Sequence, residues 1–143
     1  MNVSAILRQK GRAVTTAHPD TPLVEIANKL AAKRIGAIVV VGAGGEICGI
    51  VSERDVIRAL ATSGASSLKE PVAQTMTRQV VTCLETDTLD ELMAMMTARR
   101  FRHLPVITDG ALVGIVSIGD VVKHHVAEVE MEATAMRDYI THS

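Results

Sequence analysis

Aromatic side chains are nearly missing from this chain of 143 residues, which has one Phe, one Tyr and no Trp. A core without rings has to be built from Val, Ile, Leu, Ala and Met. A surface without them also lacks the stacking platforms that hold single-stranded nucleic acid. Charge of one sign is missing too: 15 basic residues face 16 acidic ones, for a net charge of −1. No global field therefore draws nucleic acid or anionic lipid. Apolar runs such as Ala37 to Val41 are far too short to cross a bilayer. The opening MNVSAILRQKG holds no long apolar segment of the kind that directs export. The only two cysteines, Cys48 and Cys83, lie apart in apolar stretches and make no CxxC pair. They read as small core residues in a reducing compartment, and the cytoplasm is expected. No Ser-His-Asp arrangement, P-loop, GxGxxG or metal-ligand spacing is present. Neither an enzyme, a catalytic cofactor nor a metal site is expected.

What is present is a duplication. GIVSERD at 49 to 55 returns as GIVSIGD at 114 to 120. TPLVEIANKLAAKRIGAIVVV aligns with DTLDELMAMMTARRFRHLPVI, and EICGIVSERDVIRALA with ALVGIVSIGDVVKHHVA. The match depends on order, spacing and chemistry, and the loops GAGGE and TDGA absorb the one-residue change of offset. Each copy reads as a short strand (Ala13–Ala17; Val80–Leu84) and then a helix. The helices are apolar at Leu23, Ile26, Ala27, Leu30 and Ala31, or at Leu89, Leu92, Met93 and Met96. A strand follows (Ala37–Val41; Leu104–Ile107), then a glycine turn and a second strand (Glu46–Val51; Ala111–Val116). Ser52 or Ser117 opens the last helix, with Val56, Ile57 and Leu60, or Val121, Val122 and Val126. The spacing predicts an α+β protein of two β-α-β-β-α units. Residues 1–70 hold the first repeat with an N-terminal segment, 71–128 the second, and 129–143 a helical tail. The halves are expected to pack sheet against sheet about a pseudo-twofold, with two equivalent clefts where ligands bind.

Taken singly, Ser-x-x-Asp is explained by a helix capping box. Its repetition at matching places favours ligand contact, with capping as a concurrent role. An aspartate can accept hydrogen bonds from two vicinal hydroxyls, which suits ribose, and a helix start offers N–H groups and positive potential to phosphate.

The two GIVSxxD motifs, RHLPV at 102 to 106 with its counterpart GAIVV, and the DTPL and DTL helix openings resemble a tandem pair of CBS domains. The resemblance spans about residues 10 to 128. It implies a regulatory module that binds AMP, ADP, ATP, S-adenosylmethionine or NAD(H), commonly as a homodimer acting on another protein. It implies one cleft of Val14, Thr15, Thr16, Ile35, Gly36 and Ala37 with Ser117 and Asp120. The other would take Val81, Thr82, Phe101, Arg102, His103 and Pro105 with Ser52, Arg54 and Asp55. The copies depart from one another: GAIVV lacks the proline of RHLPV, and only GIVSERD has an arginine beside its aspartate. Two related but unequal sites are expected. A partner-binding subunit with vestigial clefts is the alternative.

Other polar residues read more plainly. Arg99 and Arg100 suit a helix C-terminus, and Arg54 fits a phosphate contact or a surface charge equally. His124 and His125, being consecutive, point to different helix faces and do not share an ion. Val126, Val129, Ala133, Met136 and Ile140 make an apolar seam two heptads long, too short to hold a coiled coil alone.

Overall fold

The computed structural model of the chain describes residues 1–142. It divides into two compact units, Val14–Val80 and Met1–Ala13 together with the chain from Val81 on. This differs from a division at residue 70. The N-terminal segment builds onto the second unit, and the connector up to Val80 stays with the first.

The reason lies in an element that the sequence pattern left unassigned. Helix α1 (Val3–Lys10) carries Val3, Ile6 and Leu7 on one face, all buried in the core of the second unit with Leu89, Leu92 and Leu104. Asn2 caps it, its side chain accepting from the Ala5 N–H, and the Val3 and Ser4 N–H groups donate to the Asp87 and Glu85 carbonyls. Burying three such side chains contributes roughly 1.5–3 kcal/mol apiece.

In the first unit, β1 (Thr16–Ala17) is followed by α2 (Leu23–Lys33), β2 (Ala37–Val41), β3 (Ile47–Ser52) and α3 (Glu53–Ser63). The second unit repeats this as β4 (Cys83–Leu84), α4 (Leu89–Arg99), β5 (His103–Thr108), β6 (Ala111–Ser117) and α5 (Ile118–His142). Each sheet has three strands, with the middle one parallel to the first and antiparallel to the third. Even the irregularity is copied, because the register shifts after Val40 and again after Val106. Leu23, Ile26 and Leu30 of α2 face one core, and Leu89, Leu92 and Met96 of α4 the other. Both helices end on an arginine in the left-handed region, Arg34 at φ 53° and Arg100 at φ 57°.

Several expectations are adjusted. The first strand of each repeat shortens to two paired residues. Ala31, Ile57, Leu60, Val122 and Val126 are exposed, so α3 and α5 bury only a narrow stripe led by Val56 and Val121. The tail is no separate element: α5 runs unbroken for 25 residues.

The glycine of each GIVS motif has a steric cause. A Cβ on Gly49 would stand 2.6 Å from Met76 Sδ and 2.9 Å from the Thr77 carbonyl oxygen. On Gly114 it would stand 2.7 Å from a Leu7 methyl. Glycine lets the connector lie on the first sheet and α1 on the second.

Candidate functional site

Strand register places three of the singled-out segments at one end of each sheet. In the first unit Ala37 pairs with Ser52 and Thr16 with Val39, which brings Val14–Thr16, Ile35–Ala37 and Ser52–Asp55 to the same edge. The Glu53 N–H donates to the Gly36 carbonyl at 3.1 Å and ties the motif to the loop. In the second unit His103 pairs with Ser117 and Cys83 with Val106. Val81–Thr82, Phe101–His103 and Ser117–Asp120 therefore share an edge, and the Ile118 N–H donates to the Arg102 carbonyl at 2.8 Å.

Both serine–aspartate pairs form capping boxes. The Asp55 N–H donates to Ser52 Oγ at 3.3 Å, and the Ser52 N–H donates to Asp55 Oδ2 at 2.9 Å. The Asp120 N–H donates to Ser117 Oγ at 3.1 Å, and the Ser117 N–H to Asp120 Oδ2 at 2.9 Å. Capping fixes each carboxylate at a helix start, where the helix potential favours a negative charge.

Beyond the caps the two motifs diverge. Lys10 Nζ, at the last residue of α1, donates to Asp120 Oδ2 at 2.6 Å and to the Ile115 carbonyl at 2.9 Å. In the first unit the equivalent carbonyl, that of Ile50, accepts from the Thr77 backbone N–H at 2.8 Å. No lysine is needed there, and Asp55 Oδ1 meets only the exposed Arg58 guanidinium, at 3.6 Å. Partial burial pushes the Asp120 carboxyl upward, but hydrogen bonds from Lys10 and the Ser117 backbone outweigh it and hold it below the ordinary value.

A second divergence follows from Pro105. Val39 in the first sheet donates its N–H to the Thr15 carbonyl at 3.2 Å. The register puts Pro105 at the matching place in the second sheet, opposite Ile115 as Val39 is opposite Ile50. Proline has no N–H, so the middle strand cannot give the Val81 carbonyl this bond. The Pro/Val difference was visible in the sequence, but its consequence needs the register. Lys10 was missed entirely, because its partner lies 110 residues away.

The remaining expected residues sort by exposure. Arg54 and Arg102 are exposed, Phe101 is half-buried against the second core, and Pro105 is buried. His124 is buried, and no group of three metal-ligating side chains occurs among the described residues. Burial, with the Asp87 charge adding to it, pushes the Cys83 thiol up to about 12, which keeps it protonated.

Two β-α-β-β-α units, each closing on a capped Ser-x-x-Asp, define a tandem-repeat module with a duplicated capping motif. The CBS domain profile matches residues 5–62 and again 72–127, and the chain belongs to the CBS-domain family, with two copies. A crystal structure of a CBS-domain containing protein from Agrobacterium tumefaciens is 48% identical, with a TM-score of 0.85 over 87% of this chain and 99% of that one. The mitochondrial CBS domain-containing protein CBSX3 of Arabidopsis thaliana is 32% identical over 96% of this chain and 71% of its own length. A CBS domain protein from Pyrobaculum aerophilum, solved with AMP, is 28% identical (TM-score 0.75, 84% and 89% covered). A CBS domain pair solved with 5′-methylthioadenosine and S-adenosylmethionine is 26% identical (TM-score 0.79, 90% and 98% covered).

Proposed function

We propose that this chain is a non-catalytic regulatory module that binds an adenosine-containing ligand through its two Ser-x-x-Asp motifs. The observation that carries this reading is the gathering, in each unit, of a fixed carboxylate, a helix start and a strand edge with backbone groups. Adenosine offers a ribose diol to the carboxylate and a flat base to the strand edge. Ligands of the family relatives point the same way. AMP carries a phosphate and 5′-methylthioadenosine does not, so adenine and ribose are the shared features. AMP, ADP, ATP and NAD(H) all present them.

The ligand sets follow the sequence expectation. One takes Val81, Thr82, Phe101, Arg102, His103 and Pro105 with Ser52, Arg54 and Asp55. The other takes Val14, Thr15, Thr16, Ile35, Gly36 and Ala37 with Ser117 and Asp120. Within the first unit the Thr15 carbonyl is engaged and Asp55 is only loosely paired; within the second, proline denies the Val81 carbonyl a strand partner and Asp120 is engaged by Lys10. The acids serve as caps and hydrogen-bond acceptors rather than proton donors, which fits binding and not catalysis.

Calorimetry of AMP, ADP, ATP, NADH and S-adenosylmethionine tests the proposal. Binding of at least one is expected, with loss in an Asp55→Asn/Asp120→Asn double variant, which keeps the caps. No binding by the wild type, or undiminished binding by the double variant, overturns it.

A second reading rests on α5. Val122, Val126 and Val129 are each 48% exposed at helical spacing, and Ile118, Met136 and Ile140 continue the stripe. A second copy of the chain would cover it, so we place a homodimer there and let ligand state be read by a regulated protein. Light scattering should give a dimer for the wild type and a monomer for Val126→Glu/Val129→Glu. If capture of a partner protein depends on residues 126–140 but no nucleotide alters it, the vestigial-site alternative is favoured. No described helix is long and apolar enough to cross a membrane. With two free thiols, the cytoplasm is the proposed location, and cell fractionation checks it.

A further inference from the structure

We propose that Lys10 is a latch on the Asp120 motif, so that the Asp55 motif fills first and ligand reaches Asp120 only by displacing a lysine. This rests on the reading that both aspartates receive ribose. Its basis is the difference in what each carboxylate already holds. Asp120 Oδ2 accepts the Lys10 ammonium at 2.6 Å as well as the Ser117 N–H. A ribose diol donating to both oxygens of a carboxylate would have to share Oδ2 with a full positive charge. On Asp55, Oδ2 holds only contacts from its own cap, and Oδ1 faces a guanidinium at 3.6 Å on a side chain that is 74% exposed.

The latch is built rather than incidental. The same Lys10 ammonium also donates to the Ile115 carbonyl, one residue before the buried Val116 of the GIVS motif, so two acceptors hold it in place. It ends a helix whose apolar face is fully buried, and a helix C-terminus favours a cation. The next turn of chain is pinned as well, since Arg12 Nη1 pairs with Glu85 Oε1, and Glu85 Oε2 accepts from Thr108 Oγ1. Lys10 therefore reaches Asp120 from a fixed stem. Displacing it leaves an ammonium beside the motif, where a ligand phosphate could take it up and adenosine could not.

The test uses the full chain in an Asp55→Asn background, which leaves Asp120 as the responding motif. Lys10→Met keeps the apolar stem and removes the ammonium, and Lys10→Arg restores a cation. Titrated with neutral adenosine, Lys10→Met/Asp55→Asn should bind about 3- to 10-fold more tightly than Asp55→Asn alone. Lys10→Arg/Asp55→Asn should return to weak binding. With AMP the gain should be smaller, because the attraction of the released ammonium for phosphate is lost too. Unchanged or weaker adenosine binding in Lys10→Met/Asp55→Asn overturns the latch, while AMP binding by the wild type still upholds the function. Failure of the wild type to bind any adenosine compound sinks the function and the latch together. The lysine Cε resonance of wild-type Lys10, followed by NMR, gives a readout independent of folding of the variants. It should shift on saturation with adenosine, and a fixed resonance with both motifs filled contradicts displacement.

Discussion

The two units solve one packing problem with different chemistry. In each, a segment from outside the repeat lies on the sheet at the GIVS motif, and the isoleucine carbonyl there needs a donor. The first unit supplies a backbone amide, that of Thr77, in a two-way bridge with Ile50. The second supplies a side chain, Lys10 from α1. A backbone bridge ends at the strand, whereas a lysine has further donors and spends one on Asp120. The choice of donor thus leaves Asp55 facing only an exposed guanidinium and Asp120 bonded to an ammonium, although glycine, serine and aspartate recur at matching places.

The comparison is broken most severely at the glycines. A methyl on Gly49 meets a backbone oxygen that cannot turn aside, while one on Gly114 meets the end of a leucine side chain. Gly49→Ala should cost about 2–3 kcal/mol and Gly114→Ala about 1 kcal/mol in urea denaturation. Equal losses would show that the two packed segments are equally rigid. The caps come next: Ser52→Ala and Ser117→Ala should each cost about 1 kcal/mol, similar in the two units because the boxes are alike.

A smaller effect sharpens the difference at Asp120. Its carboxyl lies below the ordinary value of about 3.8 in the folded chain. The stabilisation is therefore present above that pH and is lost as pH falls through the lower, folded value. Lys10→Met should lower stability by about 0.5 kcal/mol near neutral pH, an effect that fades on acidification below about pH 4. A loss of undiminished size once the Asp120 carboxyl is protonated would assign the lysine's contribution to its stem. Smallest in energy is the cysteine contrast. Cys48 is half-buried and Cys83 is buried with a raised thiol, so iodoacetamide should modify Cys48 well before Cys83 in the native protein.

The doubled fold was legible because helix and strand periodicities recur in order and the GIVSxxD echo sets the frame. The serine–aspartate caps were legible because their partners are three residues away. Destinations were harder to read. Val3, Ile6 and Leu7 make an apolar face, but the sequence does not name the sheet that receives it, which is that of the second unit. Ile57 and Leu60 fit a helical stripe in the sequence and yet face outward, since one stripe residue, Val56, already fills the contact with the first core. The Pro105 effect was half-visible. Proline removes a donor wherever it stands, but only the register identifies the carbonyl that goes without.

The most direct test of the central claim is a site-resolved titration of wild-type protein with AMP, repeated on Asp55→Asn and Asp120→Asn. Two unequal binding steps are predicted, the tighter one lost in Asp55→Asn and the weaker one in Asp120→Asn. Two steps of equal affinity, or a tight step that survives in Asp55→Asn, would contradict it.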